Sequence, residues 1–157
     1  MKQIYNFSAG PSILPRSVLE IAQHELLNYK NSGISVLEMS HRTPLYENIH
    51  NQAQTFLRKL LNLDEDQTIL FVQGGASLQF TMVPLNLAHN KKAYYVDGGT
   101  WGQRAYEEAS VLLGDNAVLL ASGKDSHYTK LPEIPEVPSD GAYLHITTNN
   151  TIEGTKM

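Results

Sequence analysis

Cysteine is absent from the 157-residue sequence. Disulfide bridges, thiolate metal sites and cysteine nucleophiles are therefore excluded. The first residues contain no apolar run of signal-peptide length, and no later stretch is long enough to span a bilayer. These absences favour a cytoplasmic protein.

The sequence is also poor in positive charge. Its formal net charge is −4 and its longest basic run is Lys91-Lys92, so neither nucleic acid nor an anionic membrane is an expected partner. The six histidines show no HExxH or similar ligand spacing, so no metal site is expected. A GxSxG elbow is missing too, which disfavours a serine hydrolase.

What the chain does contain is a series of short apolar runs that alternate with segments of helical periodicity. Its 41% hydrophobic and 18% charged residues are typical of a globular domain. Alternating strands and helices predict an α/β fold with a largely parallel (mixed) sheet flanked by helices. Strands are predicted at 69–72, 93–96, 117–120 and 143–146, helices at about 15–29, 44–60, 78–87 and 101–112, and an irregular connection at 122–141.

The most informative stretch is TILFVQGGASLQFTMVPLNL at 68–87. A strand, the small-residue turn 74–77 and a helix start would aim several free backbone N–H groups at one point. A phosphate fits such a site, and the Ser77 hydroxyl adds a donor. An ordinary βα turn has the same composition, and neither GxxxxGK[ST] nor GxGxxG is present. An anion cradle and a plain turn therefore both remain open.

Two further loops, 97–101 and 147–151, follow predicted strands at the edge of the sheet where ligands collect. Trp101, the only tryptophan, offers a ring that can stack on a flat ligand or fill a core or interface. Thr151 can donate to a ligand oxygen or serve only its local backbone. A phosphate loop beside an aromatic loop favours a phosphorylated planar cofactor.

Arg42 follows His41 in a turn between two predicted helices. Its planar guanidinium suits two-point binding of a carboxylate or a phosphate. A solvated or ion-paired surface arginine is the alternative. Arg42 is thus a candidate substrate clamp.

Five motifs appear in order along the chain: NFSAGPSILP at 6–15, MSHR at 39–42, GGASLQF at 74–80, VDGGTWG at 96–102 and NNTIEG at 149–154. Together they resemble the N-terminal part of the phosphoserine aminotransferase family, a class-V, fold-type I group of pyridoxal-phosphate enzymes. The resemblance implies an N-terminal arm at 1–14 and an incomplete large domain at 15–157. It also implies a homodimer with active sites near the subunit interface.

The resemblance further implies a reaction. An amino group would pass between L-glutamate and 3-phosphohydroxypyruvate in serine biosynthesis, and 3-hydroxy-2-oxo-4-phosphonooxybutanoate of pyridoxine biosynthesis would be a second substrate. By the same resemblance, the cofactor would be pyridoxal 5'-phosphate.

Site residues follow from the same resemblance. The backbone at Ala76 and Ser77 would hold the cofactor phosphate, and Trp101 would stack on the pyridine ring. Thr151 would contact the ring on the side that carries the phenolic oxygen. For the substrate, Arg42 would clamp the amino-acid carboxylate and His41 would lie near the phosphate.

This sequence departs from the family pattern at two positions. Ser77 stands where some members have an arginine that reaches the substrate phosphate, and Ala9 stands where many have serine. Recognition of the substrate phosphate must therefore differ in detail from that in the members that carry the arginine.

The family's Schiff-base lysine and the aspartate that pairs with the pyridine nitrogen lie beyond Met157, and none of the eight lysines present matches. Because the cofactor's chemistry depends on both groups, no catalytic residue is assigned and this chain alone is expected to be inactive. The alternative is a non-catalytic truncated chain that binds phosphate or a partner protein. A related aminotransferase for another amino acid is disfavoured by the NFSAGP, SHR and TWG motifs.

Overall fold

The computed structural model describes residues 4–157. The first three residues of the predicted arm at 1–14 lie outside the described residues, and 4–14 contain no helix or strand. The chain divides into two compact units, one ending at Phe71 and the other beginning at Val72. The predicted boundary between arm and domain stays a prediction.

Two helices dominate the first unit: α1 spans Arg16–Glu25 and α2 spans Pro44–Leu61. Thr43 caps α2, because its hydroxyl oxygen accepts a hydrogen bond from the Tyr46 N–H at 3.4 Å. Pro44 occupies the first turn, where its missing N–H costs no helical hydrogen bond. Both predicted helices are confirmed, although the first ends earlier than expected.

The predicted strand at 69–72 is wrong. The Ile69 carbonyl accepts a hydrogen bond from the Gln54 side chain at 3.1 Å, and Phe71 lies edge-on to His50 with ring centroids 5.2 Å apart. Within residues 4–157 the run has no strand partner, and most of it is exposed. An apolar run becomes a strand only when a neighbouring strand pairs with its backbone groups. Here contacts with α2 replace that pairing.

A parallel sheet organises the second unit. β1 (Lys92–Asp97) lies in the centre, between β2 (Ala117–Ser122) and β3 (Gly141–His145). Every residue of β1 after Lys92 is buried, as expected for a central parallel strand. Three of the four predicted strands are thus confirmed, together with the α/β fold and its parallel sheet.

Two helices accompany this sheet, α3 (Gly75–Leu87) and α4 (Thr100–Leu113). Small residues let α4 approach closely: Ala105 and Ala109 are fully buried in the core, and a Cβ on Gly102 would lie 2.8 Å from a backbone oxygen of β1. α3 packs against α4. No helix within residues 4–157 combines the length and the apolar character that crossing a lipid bilayer requires.

A short antiparallel hairpin follows β3. β4 (Asn149–Asn150) pairs with β5 (Thr155–Lys156), so part of the predicted loop at 147–151 is a strand. The turn between them closes with a hydrogen bond from the Gly154 N–H to the Asn150 carbonyl at 2.8 Å. We call residues 149–156 the β4–β5 hairpin.

Candidate functional site

A cavity of about 440 Å³ opens at the carboxyl edge of the sheet in the second unit. Its lining comes from the start of α3, the start of α4 and the segment after β3. Because β1 and β3 are parallel neighbours, the loops that follow them meet at one edge. The four residues predicted to hold a cofactor all line this one cavity: Ala76, Ser77, Trp101 and Thr151.

The start of α3 has the geometry of an anion cradle. Gly74 and Gly75 adopt positive φ angles of 87° and 58°, which glycine allows without strain. The Leu78 N–H makes the first intrahelical bond, to the Gly74 carbonyl at 3.3 Å, so the three preceding N–H groups have no carbonyl one turn back to bond. The first turn contains no acidic residue. Ala76 and Ser77 are exposed at the cavity, and the positive end of the helix dipole favours a negative ligand there.

Trp101 is tied to the β4–β5 hairpin. Its indole Nε1–H donates to the Thr151 hydroxyl oxygen at 2.9 Å. The ring lies in the first turn of α4, and the hydroxyl lies in the turn of the hairpin. One hydrogen bond therefore joins two walls of the cavity and orients the aromatic face.

Glu153 binds the start of α4 from the same hairpin turn. Its Oε1 accepts hydrogen bonds from the Thr100 N–H, at 2.9 Å, and from the Thr100 hydroxyl. Burial would raise the pKa of Glu153, but these bonds to Thr100 outweigh it and hold the pKa below its usual range. The carboxylate is thus ionised at neutral pH and lies at the positive end of the helix dipole.

The loop Gly98-Gly99 provides space for this hairpin. A Cβ on Gly99 would lie 2.6 Å from Glu153 Oε2 and 2.8 Å from Asn150 Oδ1. Asn150 is completely buried, and the Thr155 hydroxyl donates to the Gly98 carbonyl at 3.2 Å. Gly99 has an extended backbone that any residue can adopt, so close packing is what requires glycine there.

The floor of the cavity is aromatic. The His145 ring stacks on Tyr95 with centroids 5.4 Å apart, and Phe80 meets His145 edge-on at 6.0 Å. Beneath them, the Tyr95 and Tyr143 hydroxyls share a hydrogen bond. Burial lowers the pKa of His145, so this imidazole is neutral at pH 7. Sequence reasoning missed His145, because only its position at the end of a buried strand hinted at the cavity.

Asp97 fastens the loops beside the cavity. Its Oδ2 accepts hydrogen bonds from the Ser122 hydroxyl at 2.7 Å and from the Tyr128 hydroxyl at 3.0 Å. Burial, together with the bond to Asp97, raises the pKa of Tyr128 to about 12. Asp97 is almost fully buried, so it serves as a structural anchor for the chain after β2.

The predicted substrate residues lie in the first unit. His41 and Arg42 are exposed in the turn before α2, where the Arg42 N–H donates to the Ser40 hydroxyl oxygen at 3.3 Å. Their roles toward a substrate stay predictions. Within residues 4–157 no group of three or more His, Cys, Asp or Glu side chains is arranged to hold a metal ion.

Comparison with known proteins gives a consistent result. Residues 4–157 match the family model for class-V aminotransferases. The chain is 54% identical over 157 residues to a phosphoserine aminotransferase of Listeria monocytogenes, covering 100% of this chain and 43% of the relative. It is also 54% identical over 159 residues to a phosphoserine aminotransferase of Streptococcus thermophilus, covering 98% and 44%.

Solved structures agree. The phosphoserine aminotransferase of Bacillus circulans subsp. alkalophilus matches with a TM-score of 0.87 and 45% identity, over 99% of this chain and 43% of its own. A pyridoxal-phosphate-bound phosphoserine aminotransferase of Trichomonas vaginalis matches with a TM-score of 0.81 and 37% identity, over 98% and 44%. The chain therefore spans less than half the length of these proteins.

Proposed function

Because the chain belongs to the class-V aminotransferase family, we propose that it forms the N-terminal part of a phosphoserine aminotransferase. The cavity of the second unit would hold pyridoxal 5'-phosphate. The complete enzyme would exchange an amino group between L-glutamate and 3-phosphohydroxypyruvate. The observation that supports this most directly is that Ala76, Ser77, Trp101 and Thr151 line one cavity.

The cavity fits the cofactor in size and in chemistry. A volume of about 440 Å³ lies within the range of about 300–1,000 Å³ typical of small-molecule sites. The start of α3 suits a phosphate, and the Trp101 ring suits a flat heterocycle. The aromatic floor at His145 suits the flat, largely apolar ring of the cofactor.

Each residue would have a distinct task. The free N–H groups at Ala76 and Ser77, with the Ser77 hydroxyl, would bind the phosphate and fix the position of the cofactor. The Trp101 ring would fix the plane of the pyridine. Since the Thr151 oxygen already accepts the indole N–H, its own O–H proton is free to donate to the phenolic oxygen. Neutral His145 would keep water from the floor of the site.

Pyridoxal phosphate, when bound, supplies the electron sink that allows amino-group transfer. No lysine occurs among the cavity-lining residues of the described chain. We therefore propose that the lysine that anchors the cofactor belongs to the remainder of the enzyme and that residues 1–157 alone are inactive. Residues 15–157 would be part of the large domain.

The substrate assignments are part of the same proposal. Arg42 would clamp the carboxylate of the amino acid, and His41 would lie near the phosphate of the oxo acid. The enzyme would be a cytoplasmic homodimer, and it would also accept the phosphorylated oxo acid of pyridoxine biosynthesis. Because Ser77 is uncharged, other groups would have to neutralise the substrate phosphate.

Trapping of the cofactor tests where the anchoring lysine lies. Pyridoxal phosphate followed by borohydride should label one lysine of the complete enzyme outside residues 1–157, as peptide mass spectrometry would reveal. Residues 1–157 alone should show no stoichiometric adduct. A stoichiometric adduct on one of their eight lysines would overturn the account. Inorganic phosphate binding without saturable pyridoxal phosphate binding would favour a non-catalytic phosphate-binding chain instead.

Substrate kinetics test Arg42. In the complete enzyme, Arg42→Ala should raise the KM for glutamate by about 10- to 150-fold, because a hydrogen bond to a charged group contributes about 1.5–3 kcal/mol. Arg104→Ala is the matched control, since Arg104 is exposed and does not line the cavity. An unchanged KM would remove Arg42 from the site.

A further inference from the structure

We propose that Glu153 is a positioning residue for the aromatic wall of the cavity. By capping helix α4 from outside the helix, it holds Trp101 in the orientation needed to stack on a flat ligand. The inference rests on the proposed function only for the identity of that ligand. The positioning itself is a property of the protein without any ligand.

The first argument is that α4 has no cap of its own. The residue before its first turn is Gly99, which has no side chain, and the first turn contains no acidic residue. Glu153 supplies a cap from outside the helix, because it accepts hydrogen bonds from both the N–H and the hydroxyl of Thr100, the first residue of α4. The next residue is Trp101. Glu153 therefore holds the helical turn that carries the stacking ring.

The second argument is that Glu153 is itself rigidly placed. It lies in the hairpin turn closed by the bond from the Gly154 N–H to the Asn150 carbonyl at 2.8 Å. Thr151 of the same turn accepts the indole N–H of Trp101 at 2.9 Å. The turn thus holds Trp101 through its ring nitrogen and through the preceding backbone at once.

The third argument concerns the second carboxylate oxygen of Glu153. Glu153 Oε2 and Asn150 Oδ1 are both buried, and neither has a hydrogen-bond partner within residues 4–157. Both lie within 2.8 Å of the position that a Cβ on Gly99 would take, so both face the Gly99 backbone. A glutamine at 153 would keep the oxygen that binds Thr100 and would place its NH₂ group on the side that faces Gly99. Glu153→Gln therefore removes the charge while it keeps the contacts.

The experiment follows Trp101 directly. The complete protein is labelled with 5-fluorotryptophan, and the Trp101 signal is assigned in the ¹⁹F NMR spectrum by its loss in Trp101→Phe. Without cofactor, Glu153→Ala should shift and broaden this signal, whereas Glu153→Gln should leave it close to the wild-type position. Glu108→Ala is the control on the same helix, because Glu108 is exposed and does not line the cavity.

Cofactor binding provides a second measurement. Glu153→Ala should raise the dissociation constant for pyridoxal phosphate by up to about fivefold, the limit reached if the whole contribution of a helix cap, about 1 kcal/mol, is lost from the binding-competent conformation. The dissociation constants of Glu153→Gln and Glu108→Ala should stay within about twofold of the wild-type value. If Glu153→Ala does not fold, Thr100→Val tests the same contact, since it removes only the hydroxyl donor. A partial shift of the Trp101 signal is then expected.

Two results would overturn the proposal. One is a Trp101 signal that does not change in Glu153→Ala or, if that variant does not fold, in Thr100→Val. The other is a Glu153→Gln protein whose Trp101 signal shifts as far as that of Glu153→Ala, because the capping hydrogen bonds to Thr100 would then not be what holds Trp101. If the wild-type protein binds no pyridoxal phosphate, the proposed function fails, but the signal of the cofactor-free protein still decides the role of Glu153.

Discussion

Replacing Gly99 by alanine tests the close packing between the glycine loop and the β4–β5 hairpin. The new Cβ would lie 2.6 Å from Glu153 Oε2 and 2.8 Å from both Cγ and Oδ1 of Asn150. Ordinary van der Waals contact of a Cβ lies at 3.4–4 Å. The backbone of Gly99 is extended and unstrained, so the whole effect should come from this collision.

The expected cost follows from the surroundings. Asn150 is completely buried and Glu153 accepts two hydrogen bonds from Thr100, so neither side chain can move without losing contacts. Overpacking at such a site lowers the free energy of unfolding by about 1–3 kcal/mol. We expect a value near the upper end, because two groups must move, and a lower affinity for pyridoxal phosphate, because Glu153 would be displaced from Thr100.

The assay is urea unfolding of the complete protein, arranged as a double-mutant cycle with Glu153→Ala. Removing the carboxylate relieves one of the two collisions, so Gly99→Ala should cost about 1 kcal/mol less in that background. Gly10→Ala is the matched control, since a Cβ at Gly10 meets no atom within 4 Å. Gly10→Ala should leave the free energy of unfolding within about 1 kcal/mol of the wild-type value, and any change should be an increase.

Two outcomes would refute this reasoning. Gly99→Ala could destabilise no more than Gly10→Ala, which would mean that the hairpin does not pack on the loop as described. Alternatively, Gly99→Ala could cost the same with and without the Glu153 carboxylate. In that case the collision would lie elsewhere.

Three further changes test the walls and floor of the cavity. In a fluorescence titration, Thr151→Val should raise the dissociation constant of pyridoxal phosphate about two- to thirteenfold, since the Trp101 N–H loses its acceptor and a hydrogen bond contributes about 0.5–1.5 kcal/mol. Thr151→Ser should bind the cofactor as the wild type does. Ser77→Ala should weaken the binding of pyridoxal phosphate about fivefold and leave the binding of pyridoxal unchanged. An equal loss of affinity for both ligands would contradict the anion cradle at the start of α3. The third change is His145→Phe. Burial lowers the folded-state pKa of His145 below the ordinary 6.5, so between these two pKa values mainly the unfolded chain binds the proton. The free energy of unfolding should therefore rise with pH by up to about 1.4 kcal/mol per unit in this window and level off above it. In urea titrations from pH 5 to 7.5, His145→Phe should lack this component, and identical profiles for the two proteins would contradict it.

Much of the fold was predictable because local patterns determine it. The runs that became β1, β2 and β3 are short, apolar and bounded by turn residues, and Pro44 and the glycine pair at the start of α3 mark helix starts. The run at 69–72 has the same appearance but no strand to pair with among residues 4–157. Sequence periodicity reports whether a segment can be a strand, but not whether a partner is present.

The cavity was predictable for a different reason. Loops that follow parallel strands lie at the same edge of a sheet, so the prediction of a parallel sheet was enough to place Trp101 and Thr151 at one edge. The contacts of Glu153 with Thr100 and of Asn150 with the glycine loop have no such signature. They join positions about fifty residues apart and depend on how the hairpin folds back. The stacking of His145 on Tyr95 likewise depends on the register of β3 with β1.

The distant cap of α4 also has a consequence for biosynthesis. Glu153 follows Thr100 by 53 positions, and a ribosome adds about 5–20 residues per second. For roughly 3–10 s, a nascent chain would therefore carry the glycine turn and the helix start at α3 while its tryptophan wall was still unanchored. The start of α3 is thus synthesised before the residues that hold Trp101, so the aromatic wall is the last part of the cavity to be completed.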